Sequence, residues 1–265
     1  MTDAMILRTC EETTTALIAA GRPACEWNGD ARAASGMELS RFFDHTLLKP
    51  DAQEHQYLQL CAEARELGTR SVCVPPDRVE LCAAALQGSP VEVCTVVGFP
   101  LGYQSTSAKV ADVEITAGCG ATEFDMVIPL GRMRDGDINR VYDDVAAVVT
   151  AAGPRIVKVI LEVFLLTPEQ RVKAAAAAVH AGAAILKTST GFAGGGATVE
   201  DLQMLRLVAG ETRGVKAAGG IRDLAFTRGC IAAGADRIGA SATVSILAQA
   251  SAPDGTVIGG GGEGY

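Results

Sequence analysis

Three lysines interrupt runs that otherwise read as buried strands: Lys158 in IVKVILE, Lys187 in AILKTST and Lys216 in GVKAAGG, recurring at one identical interval. An ammonium group is expensive to bury unless its head reaches a partner or the open rim of a fold, so the equal spacing places all three at similar height on successive strands. Asp125 in EFDMVIP breaks a fourth run, and Glu162 is expected on the face of Lys158, because residues four apart on a strand point the same way. Charges that converge in a low-dielectric pocket perturb one another, and active sites are where such sets concentrate. The chemistry suggested is amine chemistry: a lysine that is partly desolvated beside a second cation releases its proton more readily, and its neutral form attacks a carbonyl to make a Schiff base. The competing reading is a set of rim charges or ion pairs that fix a barrel mouth. Spacing alone does not choose a nucleophile among the three lysines.

Glycines and hydroxyls follow the last strand-like runs. Thr188, Ser189, Thr190 and Gly191 follow the sixth, Gly219 and Gly220 the seventh, and Gly239, Ala240 and Ser241 the eighth. Glycine lets backbone N–H groups approach an anion, a helix N-terminus adds a favourable dipole, and barrel enzymes commonly hold phosphate at this position. Tight turns alone would also explain the glycines. The G-x-G-x-x-G match of Gly259, Gly261 and Gly264 has no strand before it and no helix after it, so it carries no nucleotide reading.

The elements that must position these residues recur along the chain. Strand-like runs at 40–44, 71–74, 92–97, 123–128, 156–163, 184–188, 214–218 and 237–239 alternate with helical stretches at 52–67, 79–86, 107–117, 138–152, 168–181, 199–208, 224–233 and 242–250. Pro168 behind Thr167 is a first-turn proline after an N-cap hydroxyl. Continuous apolar strands, each followed by a helix, imply a parallel sheet covered by helices, and eight such units close a barrel. The expected fold is α/β, a single (β/α)8 TIM barrel with an N-terminal extension; an open doubly wound sheet is the alternative. Residues 1–38 are expected to form the extension, helical and packed on the barrel, 39–252 the catalytic barrel, and 253–265 a flexible glycine-rich tail.

The 265 residues carry 23 Lys and Arg against 31 Asp and Glu without long blocks of one sign, which argues against a nucleic-acid or anionic-membrane partner. No apolar run approaches the ~20 residues of a membrane span, and the first residues lack a leader pattern. Eight cysteines scattered through apolar segments, no two separated by only two residues, read as free thiols in a reducing cytoplasm. His45, His55 and His180 form no ligand pair, so no metal is expected.

Taken together, DHTLLKPDA (44–52), VGFPLG (97–102), EFDMVIPLG (123–131), KVILE (158–162), LKTSTGF (186–192), GVKAAGGIR (214–222) and RIGAS (237–241) resemble the deoxyribose-phosphate aldolases, class I aldolases on a (β/α)8 barrel. The resemblance covers about residues 40–250 in order. It implies that Lys187 is the Schiff-base lysine, Lys216 the lysine that perturbs it and assists proton transfer, Asp125 the acid/base carboxylate, and Lys158 an electrostatic partner of that region. It also implies phosphate binding by Gly219, Gly220, Gly239 and Ser241, with Thr190 and Gly191 beside the substrate, and a C-terminal tyrosine, Tyr265, that assists proton transfer. Ala242 stands where some members have a second serine, and Phe192 where some have a lysine. The implied reaction is reversible cleavage of 2-deoxy-D-ribose 5-phosphate to D-glyceraldehyde 3-phosphate and acetaldehyde with no cofactor. The implied partner is this small sugar phosphate, and a homodimer is compatible with the sequence. A barrel lyase or isomerase without covalent chemistry, and a sugar-phosphate sensor, are the rival readings.

Overall fold

The strands form where short β-branched runs alternate with helices, and their pairing closes the sheet. The structure, a computed structural model, describes residues 1–252 apart from 28 and 30. Strands β1 (Phe43–Thr46), β2 (Ser71–Val74), β3 (Glu92–Val97), β4 (Glu123–Val127), β5 (Ile156–Ile160), β6 (Ile185–Lys187), β7 (Gly214–Ala218) and β8 (Arg237–Ala240) are all parallel, and β8 pairs back onto β1. The helices among the described residues are α1 (Asp3–Ala19), α2 (Glu54–Leu67), α3 (Val79–Ala85), α4 (Thr106–Gly118), α5 (Leu130–Arg134), α6 (Ile138–Ala152), α7 (Pro168–His180), α8 (Val199–Ala209), α9 (Leu224–Ala232) and α10 (Thr243–Ser251). This is the (β/α)8 barrel expected from the sequence.

The two largest departures from the expected strand limits, at the start of β1 and the end of β5, each have a local reason. Residues 40–42 belong to a 3-10 turn, closed by Arg41 N donating to Glu38 O at 3.0 Å, so β1 begins at Phe43. Strand β5 stops at Ile160, because Glu162 adopts a left-handed backbone (φ 51°) and opens a 3-10 turn over Val163–Leu165.

The main apolar core lies between the outer faces of the strands and the helices, where Val72, Val74, Phe124, Met126, Val157, Val159, Leu186 and Ile238 are buried. Alanines at 174–178 of α7 are all buried, and α7 lies between α1 and the sheet wall. A helix covered on more than one side needs small apolar residues around most of its circumference. Cys25, just after α1, continues this packing by donating its backbone N–H to His180 O at 2.8 Å.

Inside the barrel the pattern inverts. Asp44, Glu123, Asp125, Lys158, Lys216 and Arg237 are all buried and meet across the axis. The lysines were expected at the open rim and at one height. Instead Lys158 and Lys216 are fully buried, and the register sets Lys158 opposite Ile185, while Lys187 lies beside Lys216 and opposite Ile160. Lys158 therefore sits two positions lower than the other pair.

Candidate active site

Asp125 is the hub of the interior. Its Oδ2 accepts hydrogen bonds from Lys187 Nζ and Lys216 Nζ, each at 2.7 Å, and its Oδ1 accepts from Lys158 Nζ at 2.9 Å and from the Cys94 thiol at 3.2 Å. The network continues downward. Lys216 Nζ reaches Asp44 Oδ2 at 2.5 Å, Lys158 Nζ lies 2.7 Å from Glu123 Oε2, and Arg237 joins Asp44 to Glu123, with its Nη2 2.5 Å from Glu123 Oε1. Four bases thus face three carboxylates in a buried network, where each charge needs a partner.

Neighbours outweigh burial in setting the ionisation here. Burial alone would raise Asp125, but Lys158, Lys187 and Lys216 overcome it and hold the carboxyl well below its ordinary range. Burial also opposes charge on Lys216, yet Asp125 and Asp44 hold it above the ordinary lysine value. Lys158 is raised well above that value, with Asp125, Cys94, Glu123 and Asp44 prevailing over burial. Both amines are therefore locked as ammonium groups and are poor nucleophiles. Cys73, Cys94 and Asp125 each present a donor atom within 4.8 Å of the others, but Asp125 is already ringed by three ammonium groups, and these oppose a further cation.

Above this network a cleft opens at the C-terminal ends of the strands. Of the three lysines only Lys187 borders it. The reason is local: Lys187 is the last residue of β6, whereas Lys216 is followed by Ala217 and Ala218 of β7. The other end of the cleft is lined by Gly191, Gly219, Gly220, Arg222, Gly239 and Ser241. Gly219 has φ +87°, and a Cβ there would lie 2.9 Å from Gly196 Cα, so only glycine fits without strain. Helix α10 begins just beyond Ser241 with Ala242 at its N-cap, which supplies no side-chain hydrogen bond and leaves first-turn amides available to an anion.

The structure brings Lys158, Lys187, Lys216 and Asp125 into one cluster, and Thr190, Gly191, Gly219, Gly220, Gly239 and Ser241 around one cleft. Tyr265 and the tail at 253–265 lie outside the described residues. Glu162 is a correction: with β5 ended, its carboxylate turns to Thr190, whose N–H donates to Oε2 at 3.2 Å and whose hydroxyl donates to the same oxygen, and it does not join Lys158. Burial raises the Glu162 carboxyl above its ordinary value. Phe192 packs edge-on against Phe99, with the ring centroids 5.2 Å apart. Sequence reasoning gave no role to Asp44, Glu123, Arg237 or Arg222. The available signal for Glu123 was its position two residues before Asp125, on the same strand face.

A closed parallel barrel with one amine at its mouth and two locked ammonium groups beneath it defines a lysine-centred (β/α)8 enzyme. Residues 40–259 match the DeoC/LacD family aldolase model, and the chain belongs to that family. The deoxyribose-phosphate aldolase of Bdellovibrio bacteriovorus is 48% identical over 219 residues, which is 83% of this chain and 100% of the relative. That of Brevibacillus brevis is 50% identical over 214 residues, 81% of this chain and 97% of its own. Among solved structures, the tetrameric deoxyribose phosphate aldolase from Aeropyrum pernix matches with a TM-score of 0.75 at 33% identity, covering 80% of this chain and 90% of its own.

Proposed function

We propose that this chain cleaves 2-deoxy-D-ribose 5-phosphate reversibly to D-glyceraldehyde 3-phosphate and acetaldehyde, with Lys187 as the covalent nucleophile. The observation that carries the assignment is that Lys187 borders the cleft while its Nζ shares one oxygen of Asp125 with the buried Lys216. Loss of the Lys187 proton leaves three bases facing three carboxylates, so the nucleophilic form is the charge-balanced one.

The neutral amine attacks C1 of the open-chain sugar, and loss of water gives an iminium. Removal of the C3 hydroxyl proton lets that oxygen form a carbonyl while the C2–C3 bond breaks. The electron pair flows through C2 and C1 to the nitrogen, leaving an enamine, and D-glyceraldehyde 3-phosphate departs. Protonation at C2 and attack of water at C1 release acetaldehyde and restore Lys187. Asp125 does not border the cleft, so its part in moving the C3 proton runs through a water molecule or through the lysine nitrogen. The phosphate takes the far end of the cleft, with the Gly219 and Gly220 backbone, Ser241 and the α10 amides as donors.

Borohydride reduction in the presence of acetaldehyde tests the assignment. The trapped adduct should map to the peptide that contains Lys187. An adduct on Lys158 or Lys216 in the active wild-type enzyme would overturn it, and turnover with no trappable adduct would favour a barrel lyase without covalent chemistry.

A further inference from the structure

The N-terminal end of the barrel holds a second charged cavity, on the opposite side of the ion network from the cleft. Its wall includes the first residues of β5, β6 and β8 together with Arg41 and Arg70, and its volume is about 100 Å³. Chain from 31 to 37 passes beneath it. Ala31 N donates to Thr212 O at 3.0 Å, and a Cβ on Gly214 would lie 2.7 Å from Ala31 O, so this floor is pressed against the start of β7.

The charges here are not matched as they are above. Asp236 is saturated by Arg32 Nε at 3.0 Å, Arg206 Nη1 at 2.7 Å and the backbone N–H groups of Ala33 and Val215, each at 2.9 Å. Arg237 is turned toward Asp44 and Glu123. Arg41 and Arg70 make no ion pair among the described residues: Arg41 donates Nη1 to Thr69 O at 2.8 Å, and Arg70 Nε is closed off from solvent without a hydrogen-bond partner. Burial, followed by the nearby Arg70 and Arg237, pushes Arg41 below the ordinary arginine value, while Glu92 and Glu123 pull the other way without closing an ion pair with it. The barrel interior gives Lys158 and Lys216 carboxylates in direct contact, whereas Arg41 and Arg70 have none in contact among the described residues.

We propose that this cavity is a binding site for a phosphate group, as inorganic phosphate or as the phosphate of a small monoester, held between Arg41 and Arg70. A phosphate dianion would pair with two guanidinium groups that make no direct ion pair among the described residues, and the planar forks of arginine fit its oxygens in paired hydrogen bonds. Arg237 lines the cavity and also grips Asp44 and Glu123, so the two ends of the barrel share a guanidinium group.

Calorimetric titration with inorganic phosphate, paired with crystals soaked in tungstate, tests this. Wild type should show a phosphate site that weakens at least about tenfold in Arg70→Gln, the loss expected for one charged hydrogen bond. Arg41→Gln should weaken the same site and serves as the second variant where Arg70→Gln folds poorly. Borohydride trapping at Lys187 should stay at the wild-type level in both, which separates this site from the cleft. Tungstate density should lie between Arg41 and Arg70. Isotherms of both variants that match wild type, or tungstate found only in the upper cleft, would overturn the proposal; a phosphomonoester that binds where inorganic phosphate does not would support it as a monoester site.

Discussion

Replacing Lys216 by methionine separates the electrostatic part of the site from its covalent part. Lys187 Nζ and Lys216 Nζ each lie 2.7 Å from the same Asp125 oxygen, so the two nitrogens are no farther apart than twice that distance. Two unit charges about 5 Å apart at an effective dielectric constant of about 20 repel by about 3 kcal/mol, which is roughly 10²-fold in the ease of removing a proton. Lys216→Met abolishes that repulsion and leaves Asp125 to hold the Lys187 proton more firmly. Imine formation at neutral pH should therefore slow by roughly 10²-fold and recover as the pH is raised. Asp125→Asn should act in the opposite sense on the first step: the adduct still forms, and the later proton transfers slow by about 10²–10⁴-fold. The assay is the single-turnover rate at which borohydride-trappable adduct appears, measured against pH, beside the steady-state rate of acetaldehyde release. Trapping at the wild-type rate in Lys216→Met at neutral pH would refute the reasoning, and so would an alkaline profile that never recovers in a variant whose thermal melt is intact.

Lys187→Arg keeps the positive charge but has no amine that becomes neutral near neutral pH, so it should lose nearly all turnover and all trapping, measured by acetaldehyde release and intact mass. Ser241→Glu places a carboxylate at the proposed phosphate site and should raise KM for the phosphorylated sugar far more than for unphosphorylated deoxyribose; an equal effect on both would move the phosphate elsewhere. Gly219→Ala forces a Cβ at φ +87° to within 2.9 Å of Gly196 Cα, so it should cost about 1–3 kcal/mol of stability, read by denaturant unfolding, and weaken phosphate binding. Asp44 and Asp125 are held below their ordinary values, so their stabilisation is complete above the unfolded aspartate value near 3.9 and is lost as the pH falls from there toward the folded values. Asp44→Asn, which leaves buried Lys216 and Arg237 short of a partner, should lower Tm by roughly 10 °C at pH 7 and by somewhat less at pH 3, where the wild type has begun to lose the same contribution.

What was legible in the sequence and what was not divides along the closure of the barrel. Eight apolar runs with helices between them announce the parallel sheet, because a strand buried on both faces reads as a continuous apolar stretch. Lys158, Lys187, Lys216 and Asp125 stand out against those stretches. Asp44, Glu123 and Arg237 do not, since each lies at or next to the start of a strand, where a charge looks like an ordinary rim residue. Arg237 meets Asp44 only because β8 returns to β1, across 193 positions of sequence. That contact belongs to the closed sheet and not to any local pattern. Glu162 fails in the other direction: a period of two projects it onto the face of Lys158, but the left-handed turn at its own backbone ends the strand before the period reaches it.

Closure also explains how three similar lysines acquire different tasks. Nothing in IVKVILE, AILKTST or GVKAAGG ranks the three amines, and the register even sets Lys187 beside Lys216. The difference is strand length. Strand β6 ends at Lys187, so the side chain sits under open space, whereas two further residues of β7 stand above Lys216 and two further residues of β5 above Lys158. Depth then determines charge. The covered lysines are enclosed with Asp44, Glu123 and Asp125 and must stay ionised to match them, while Lys187 alone of the three borders the cleft. On the proposed assignment the cations beneath it remain in place when the Lys187 amine becomes an iminium, so the hub carboxylate would serve the free base and the covalent cation with the same geometry.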